Sequence, residues 1–240
     1  MHLLILTGHG RYEDQWHDVA ATSHRTALVA AEMGHTAEDR STMPRYIDDF
    51  GAADLIVVNA GKGRIDPTFD GDDAFWEPMW SLFDAHLDAG KPILALHASG
   101  NTFHGYPRWA SVVGGCWVDG TSGHPEIGEE TLTVDEKAHP IAAGLGDITV
   151  FDEKYSFLVM QPGSDAAPED GGVVPYLSWT GTWSPKGEIE PTTHQLAWAR
   201  TLDTGSRVVF DALGHCPRSF DSPSRVELLK REIAWCLGAL

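Results

Sequence analysis

Two neighbouring stretches decide the fold: 53-ADLIVVNAG-61 and 71-GDDAFWEPMWSLFDAHLDAGKPILALH-97. The first is a continuous apolar, β-branched run, which is typical of a strand whose two faces are both covered. The second begins as an amphipathic helix with acidic residues in its first turn and a stop at Gly90. It continues into a short apolar strand at 92–97. A strand, a helix and a strand in this order predict a parallel pair joined by a crossover helix.

Strand and helix signals are also present on both sides of this unit. Towards the N-terminus, 2–8 predicts a strand, 21–34 a helix that ends at Gly34, and 35–40 a second strand. The fold class predicted is α/β, with a doubly wound, mostly parallel sheet of flavodoxin-like type and a single domain over 1–240. The second half is less regular and predicts strands at 127–134, 194–201 and 206–214, a turn at 203–205, a loop at 161–172 and a closing helix at 224–238.

Composition restricts the partners of the chain. Its 240 residues carry a formal net charge of −18, whereas binding to nucleic-acid phosphates needs a basic surface. We therefore expect no nucleic-acid partner and no attraction to anionic membranes. The hydrophobic fraction of 42% and nine tryptophans are ample for a folded core. A small-molecule partner is the expectation, and a homo-oligomer remains open.

Cysteine usage and the start of the chain bear on compartment. Cys116, Cys216 and Cys236 are odd in number and widely spaced, which fits a reducing environment without a disulfide framework. The first residues lack the basic region and long apolar region of a signal peptide, and no run approaches the length of a membrane helix. We expect a cytoplasmic protein.

Histidines at strand ends are the clearest chemical signal. His9, His97 and His215 each follow a predicted strand, and in open α/β sheets ligands bind beyond the carboxyl ends of the strands. A glycine before His9, His124 and His215 permits a tight turn that exposes the next side chain. Any one histidine can instead be a surface or core residue. The convergence of several is the hypothesis.

An acidic cluster accompanies them. The segment 151-FDEKYSF-157 places Glu153 near Tyr155, which suits an acid/base group or a ligand for a substrate hydroxyl, although a solvated acidic loop has the same composition. Cys216 beside His215 invites a nucleophile hypothesis, but nothing in the sequence supplies a base, and a buried thiol is the preferred interpretation.

Short-range metal motifs such as HExxH and CxxC pairs are absent from the sequence. A divalent metal such as zinc, bound by His97, His215 and Glu153 from distant segments, stays open as an alternative. The glycine-containing 59-NAGKGRID-66 matches no phosphate-loop pattern and is interpreted as a turn.

At this point the chain resembles a known family. The segments "GHG" (8–10), "ILALHASGNTF" (93–103), "GGCWVDGTSGHP" (114–125), "HPIAAGL" (139–145), "DEKY" (152–155) and "VVFDALGHCPRSFDSP" (208–223) are similar, in this order, to those of the trehalose-utilisation (ThuA-like) family. The resemblance implies a class I glutamine-amidotransferase-like fold. By position, His97, or alternatively Ala98, takes the place of the catalytic cysteine of amidotransferases, and His215 resembles the triad histidine. A thioester mechanism needs a thiolate at that strand-to-helix turn. The chain is therefore not expected to be a glutaminase.

The resemblance further implies an enzymatic activity on trehalose-type disaccharides or their 3-keto derivatives. A ketone acidifies the neighbouring C–H bond, so histidine acid/base chemistry, with or without a metal, can drive elimination or isomerisation.

The residues assigned are His97, His215 and Glu153 as catalytic groups. His9, His124, Tyr155 and Trp16 are expected to bind substrate, with His17 and His104 as weaker candidates. Trp109, Trp179 and Trp183 are further stacking candidates, and Trp76, Trp80 and Trp235 are assigned to the core. The alternatives are a non-catalytic sugar- or protein-binding module and a metal-dependent hydrolase of another substrate.

Overall fold

The fold is known from a computed structural model, which describes residues 1–47 and 49–240. In the first half, strands and helices alternate as the apolar patterns predict. The strands are β1 (His2–Thr7), β2 (Thr36–Ser41), β3 (Leu55–Asn59) and β4 (Ile93–Leu96). The helices are α1 (Val19–Glu32), α2 (Pro67–Asp70), α3 (Asp73–Asp88) and α4 (Trp109–Val113).

The second half is dominated by strands. They are β5 (Gly115–Cys116), β6 (Gly128–Val134), β7 (Ile148–Asp152), β8 (Val159–Met160), β9 (Val174–Gly181), β10 (Thr192–Thr201) and β11 (Arg207–Asp211). The chain closes with α5 (Pro223–Cys236), whose N-cap Ser222 accepts a hydrogen bond from the backbone N–H of Arg225. Short 3₁₀ turns precede or follow several elements, at Gly10–Tyr12, Pro44–Tyr46, His97–Asn101, Pro168–Asp170 and Pro217–Asp221.

Nine of the described strands form one sheet in the order β2-β1-β3-β4-β11-β10-β9-β6-β7. The first five are mutually parallel, and helices cross over between β1 and β2 and between β3 and β4. The predicted turn at 203–205 joins β10 and β11 as an antiparallel pair, and antiparallel pairing continues to β7. The predicted doubly wound, mostly parallel α/β class is thus confirmed, with an antiparallel extension on one side.

The core lies on both faces of the parallel strands. Every residue of β3 is buried, as its uninterrupted apolar sequence predicts. Trp76, Trp80 and Trp235 are buried in helices, as expected. Trp109 is also a core residue, and its indole N–H donates to the carbonyl of Ser99 at 2.8 Å, so the expectation that it contacts sugar is wrong. Among the described residues no helix is both long and apolar enough to cross a membrane.

Strand direction determines which loops meet. The carboxyl ends of β1, β3, β4 and β11 share one edge because these strands are parallel. Successive antiparallel pairs from β11 to β7 return β7 to the same direction. The β6–β7 hairpin pairs with β9 through only two residue pairs near Val134. The free end of this hairpin is therefore able to fold back towards the loop after β11.

Candidate active site

A single carboxylate, Glu153, lies at the centre of a histidine cluster at this edge of the sheet. Its Oε2 is 3.4 Å from His97 Nε2 and 3.6 Å from His17 Nε2. Its Oε1 is 3.3 Å from His124 Nε2 and 3.6 Å from His215 Nδ1. Only 6% of Glu153 is exposed, so these imidazoles, rather than water, surround its charge. We call Glu153, His17, His97 and His215 the imidazole–carboxylate cluster.

His97 occupies an unusual backbone position at the end of β4. Its φ is 45°, in the left-handed region that non-glycine residues rarely adopt. Its Nδ1 lies 2.6 Å from the carbonyl oxygen of Ala212, which can only accept, so Nδ1 carries the proton. In the neutral ring Nε2 is then the acceptor, and the Tyr155 hydroxyl donates to it at 3.1 Å. The sharp turn thus fixes both the direction and the tautomer of this imidazole.

Asp152 joins the end of β7 to the loop after β11. Its Oδ2 accepts a hydrogen bond from the backbone N–H of Gly214 at 2.8 Å, and its Oδ1 accepts from those of His215 at 3.2 Å and Glu153 at 2.9 Å. The residue is buried. One carboxylate therefore fixes the backbone of Glu153 relative to that of His215, although the two residues follow different strands.

His17 enters the cluster from the loop between β1 and α1. Its Nδ1 lies 3.2 Å from Asp14 Oδ1, on the side of the ring away from Glu153. The same Asp14 oxygen accepts the backbone N–H of Trp16 at 2.8 Å. Asp14 thus orients the loop and the imidazole together.

Two glycines allow this loop to sit where it does. The backbone N–H of Gly61 donates to Tyr12 O, and that of Gly63 donates to Arg11 O, each at 2.9 Å. A Cβ at Gly63 would lie 2.0 Å from Glu13 O. No residue with a side chain fits such an approach. The segment 59–66 is therefore a packing surface for the histidine-bearing loop, in addition to the turn that the sequence predicts.

Burial and charge act against each other inside the cluster. Burial opposes ionisation of Glu153, but the imidazoles of His17 and His97 beside it outweigh burial and hold the pKa of the carboxylate far below its usual range. Burial likewise lowers the pKa of His17, yet Asp14 and Glu153 raise it to about 9. For His215 burial prevails, and its pKa is lowered despite Glu153. Burial raises the pKa of Tyr155, so its hydroxyl stays protonated.

The donor set has the composition of a transition-metal site. One ligand atom from each member of the imidazole–carboxylate cluster lies within 4.8 Å of the others. His17 Nε2, His215 Nδ1 and Glu153 Oε2 are buried and find no hydrogen-bond partner among the described residues. Buried polar atoms without partners are costly, which favours a further group at this point. Three imidazoles and one carboxylate suit zinc and similar divalent ions.

The cluster opens into a cavity of about 600 Å³. This volume is in the usual range of about 300–1,000 Å³ for small-molecule sites. Polar and aromatic side chains line it, including Lys62, Asn101, Trp117, Asp119 and His124. We call it the catalytic cavity.

The structure places the remaining predicted residues as follows. Tyr155 and His124 line the catalytic cavity together with Trp16, and Glu153 is buried there, so the solvated-loop interpretation of 151–157 is wrong. His9 lies instead against Phe69, because its backbone N–H donates to Thr42. His104 is exposed beside Tyr12.

Other sequence candidates lie elsewhere. Trp179 and Trp183 line a separate cavity on the antiparallel sheet. Cys216 is half-buried rather than buried, because it begins the exposed approach to the turn at Pro217–Asp221. His17 is a member of the cluster although it does not directly follow a strand, so the pattern of histidines at strand ends underestimates it.

Comparisons with known proteins identify the family and the fold of the chain. The sequence model of a family described as "ThuA: Trehalose utilisation" matches residues 3–236. A ThuA-like protein from Parabacteroides merdae superposes with a TM-score of 0.74 at 16% identity, covering 99% of this chain and 90% of that one. A ThuA-like protein from Bacteroides uniformis gives 0.68 at 14% identity, covering 98% and 90%. A glutamine amidotransferase from Thermotoga maritima gives 0.53 at 11% identity, covering 99% and 98%. No curated protein matches the chain.

Proposed function

Because the chain belongs to the trehalose-utilisation (ThuA) family, we propose that it is a carbohydrate-processing enzyme that acts on trehalose-type disaccharides or their 3-keto derivatives. In this proposal the reaction takes place in the catalytic cavity by histidine acid/base chemistry, with the help of a divalent metal ion such as zinc.

The observation that carries the proposal is the convergence of His17, His97, Glu153 and His215. Ligand atoms about 2.1 Å from a metal in tetrahedral geometry lie about 3.4 Å from one another. The distances of 3.4 Å and 3.6 Å from Glu153 Oε2 to His97 and His17 are close to this value. The Nδ1 hydrogen bond of His97 and the carboxylate beside His17 Nδ1 are the outer contacts that orient metal-binding imidazoles.

A metal at this position would supply a Lewis acid for a ketone oxygen and stabilise the negative charge that develops there. The residues that would hold it are His17, His97, Glu153 and His215. They are no longer free to move protons themselves. Proton transfer then requires a residue that lines the catalytic cavity and is not a ligand of the metal.

His124 is that group. Its Nδ1 lies 2.8 Å from the carbonyl oxygen of Pro125 and so carries a proton, which leaves Nε2 directed towards the cavity beside Glu153. In the proposed elimination, His124 takes the proton from the carbon next to the ketone, and the C–H electron pair forms the enolate. The ketone re-forms as a double bond forms between the deprotonated carbon and the anomeric carbon, and the bond from the anomeric carbon to the glycosidic oxygen breaks. The departing oxygen keeps that electron pair and takes the proton from His124.

The glutaminase chemistry of the fold's better-known members is not part of the proposal. A thioester needs a cysteine at the turn after β4, and His97 occupies that position. A sugar- or protein-binding module without catalysis is the competing function, and the same measurements separate the two.

The test combines metal analysis with turnover. We expect purified protein to hold one zinc or manganese ion per chain, a chelator to abolish conversion of 3-keto-trehalose, and the metal to restore it. His97→Ala should lose both metal and activity, whereas His24→Ala, on the exposed face of α1, should keep both. Full turnover by metal-free protein would refute the role of the metal. Binding of trehalose and 3-keto-trehalose without conversion would identify a binding module.

A further inference from the structure

A second cavity of about 410 Å³ adjoins the catalytic cavity. The two share Asp14, Trp16, Lys62 and Gly63, so they form one continuous cleft along the loops after β1 and β3. The second cavity also contains Glu13, Gln15, Arg64, Asp66 and Phe69. We call it the outer cavity.

Two aromatic side chains in the outer cavity are unusually exposed. Trp16 is 75% exposed and Phe69 is 60% exposed, whereas tryptophan is among the more buried residues on average. Exposed aromatic groups at the rim of a cleft mark binding surfaces. Polar groups, among them Gln15 and Arg64, accompany them. Apolar faces with a few polar groups are the usual lining of small-molecule sites.

The outer cavity has rigid walls. Arg11, which is fully buried, pairs with Asp70 at 3.2 Å and donates to Gly71 O at 2.6 Å, which fixes α2 and Phe69 against the loop after β1. On the other side, the backbone N–H of Trp16 donates to Asp14, which fixes the backbone of Trp16 beside the residue that orients His17. A preformed surface of this kind loses little entropy when a ligand binds.

The charges of the outer cavity favour an uncharged occupant. Glu13, Asp14 and Asp66 oppose Lys62 and Arg64, and Lys62 already pairs with Asp119 at 2.6 Å. Asp14 in turn pairs with His17, so among the described residues that line the cavity Arg64 is left to face Glu13 and Asp66. A phosphate group would meet net negative charge here, and the net charge of −18 over the whole chain adds to that repulsion.

We propose that the outer cavity is a second sugar subsite, which binds the unmodified ring of a neutral disaccharide while the keto ring occupies the catalytic cavity. Trp16 and Phe69 provide the stacking faces, and the polar side chains around them bind the hydroxyl groups. The subsite makes the enzyme selective for disaccharides over monosaccharides and for free sugars over sugar phosphates. This inference rests on the proposed function, since it assigns the two rings of that substrate.

The test compares 3-keto-trehalose with methyl 3-keto-glucoside, a monosaccharide glycoside that keeps the bond to be broken but lacks the second ring, in Trp16→Ala and Phe69→Ala variants. Loss of one aromatic contact is expected to raise KM for the disaccharide about 3- to 10-fold. In Phe69→Ala, kcat and the kinetics of the monosaccharide glycoside should be unchanged, because Phe69 lines the outer cavity and is not among the residues that line the catalytic cavity. In Trp16→Ala, which lines both cavities, KM should rise by a larger factor for the disaccharide than for the monosaccharide glycoside. Trp16→Phe should recover most of the loss. Tyr46→Ala, which removes an aromatic residue that is 55% exposed outside both cavities, is the matched control and should change neither substrate.

Equal changes for both substrates, or none for either, would overturn the subsite while leaving the enzyme activity in place. If the wild-type protein converts neither sugar, the proposed function fails, and titration calorimetry with trehalose tests the subsite separately. Weaker trehalose binding in Trp16→Ala and Phe69→Ala, but not in Tyr46→Ala, would support it. Absent or unchanged binding would refute it. Trehalose 6-phosphate should bind more weakly than trehalose, and equal or tighter binding would contradict the charge argument.

Discussion

The carboxylate of Asp152 accepts a hydrogen bond from the backbone N–H of His215, a residue 63 positions away in the chain. The same carboxylate also caps the backbone N–H groups of Gly214 and Glu153. Two segments of the candidate active site are therefore held together by a buried side chain that lies outside the imidazole–carboxylate cluster.

Replacing Asp152 by alanine is expected to weaken both the fold and the site. Each buried N–H group left without a partner costs about 1–3 kcal/mol, so the free energy of unfolding should fall by at least about 2 kcal/mol. Loss of an outer contact also lowers metal affinity about 10- to 100-fold. Urea unfolding and zinc titration measure the two effects. Asp165→Ala, at an exposed position, is the control, and a variant of Asp152 with wild-type stability and affinity would contradict the positioning role.

Metal binding should appear as added stability. Zinc at 100 times its Kd is expected to raise the free energy of unfolding of the wild-type protein by about 2.7 kcal/mol. In Glu153→Gln the central negative charge is gone, and the gain should be less than about 1 kcal/mol at the same zinc concentration. Unfolding in chelator and in zinc measures both values. An equal gain in the two proteins would place the binding site elsewhere.

His86 makes the fold sensitive to acid. Burial lowers its pKa to about 4, even though the carbonyl of Pro92 favours the charged form. Its Nε2 donates to that carbonyl at 2.9 Å, and its buried Nδ1 has no partner among the described residues, so a second proton would be unpaired. The stabilisation from keeping His86 neutral is complete above about pH 6.5 and is lost as the pH falls to 4. The loss amounts to about 3 kcal/mol.

Unfolding free energies from pH 7 to pH 4 check this prediction. The pKa of His139 is also lowered to about 4 by burial, so both residues contribute in the same pH window. The difference between wild-type protein and His86→Gln isolates the share of His86, since glutamine retains a donor for Pro92. Parallel pH curves for the two proteins would show that His86 is not the cause.

Gly63→Ala tests the packing beneath the histidine-bearing loop. The new methyl group would meet the backbone oxygens of Glu13 at 2.0 Å and Gly10 at 2.8 Å, so the loop after β1 must move. We expect a loss of about 1–3 kcal/mol in stability and weaker metal binding, because His17 moves with the loop. Gly128→Ala should change neither property, because the atom nearest to its new methyl group would be Lys154 Nζ at 3.9 Å, an ordinary contact distance. Unchanged zinc affinity in Gly63→Ala would show that this packing does not position His17.

The sequence predicts the parallel half of the sheet well, because its strands carry local signals. The uninterrupted apolar run of β3 and the helix that precedes β4 are both present within a few residues of their predicted bounds. The strand β7 is not among the predicted strands. Its inward positions are Ile148, Val150 and Asp152, and the buried carboxylate disguises the apolar alternation. The strand β9 begins with a proline at its second position and is only partly buried, so its pairing depends on tertiary contacts.

The candidate site likewise has one part that the sequence predicts and one part that it does not. His97, His215 and Glu153 follow strands whose carboxyl ends share an edge, so topology alone brings them near one another. His17 has no such signal, because its place depends on Asp14 and on the close approach of Gly61 and Gly63 from another loop. The three-residue spacing of Asp14 and His17 after a strand was the one local sign of it.

The spacing of the imidazole–carboxylate cluster has a consequence for biosynthesis. Its members stand at positions 17, 97, 153 and 215 of a 240-residue chain. A ribosome must therefore release the chain beyond His215 before the four side chains can meet. An ion that needs all four ligands is acquired only after that point, and no nascent fragment that ends before His215 carries the complete set.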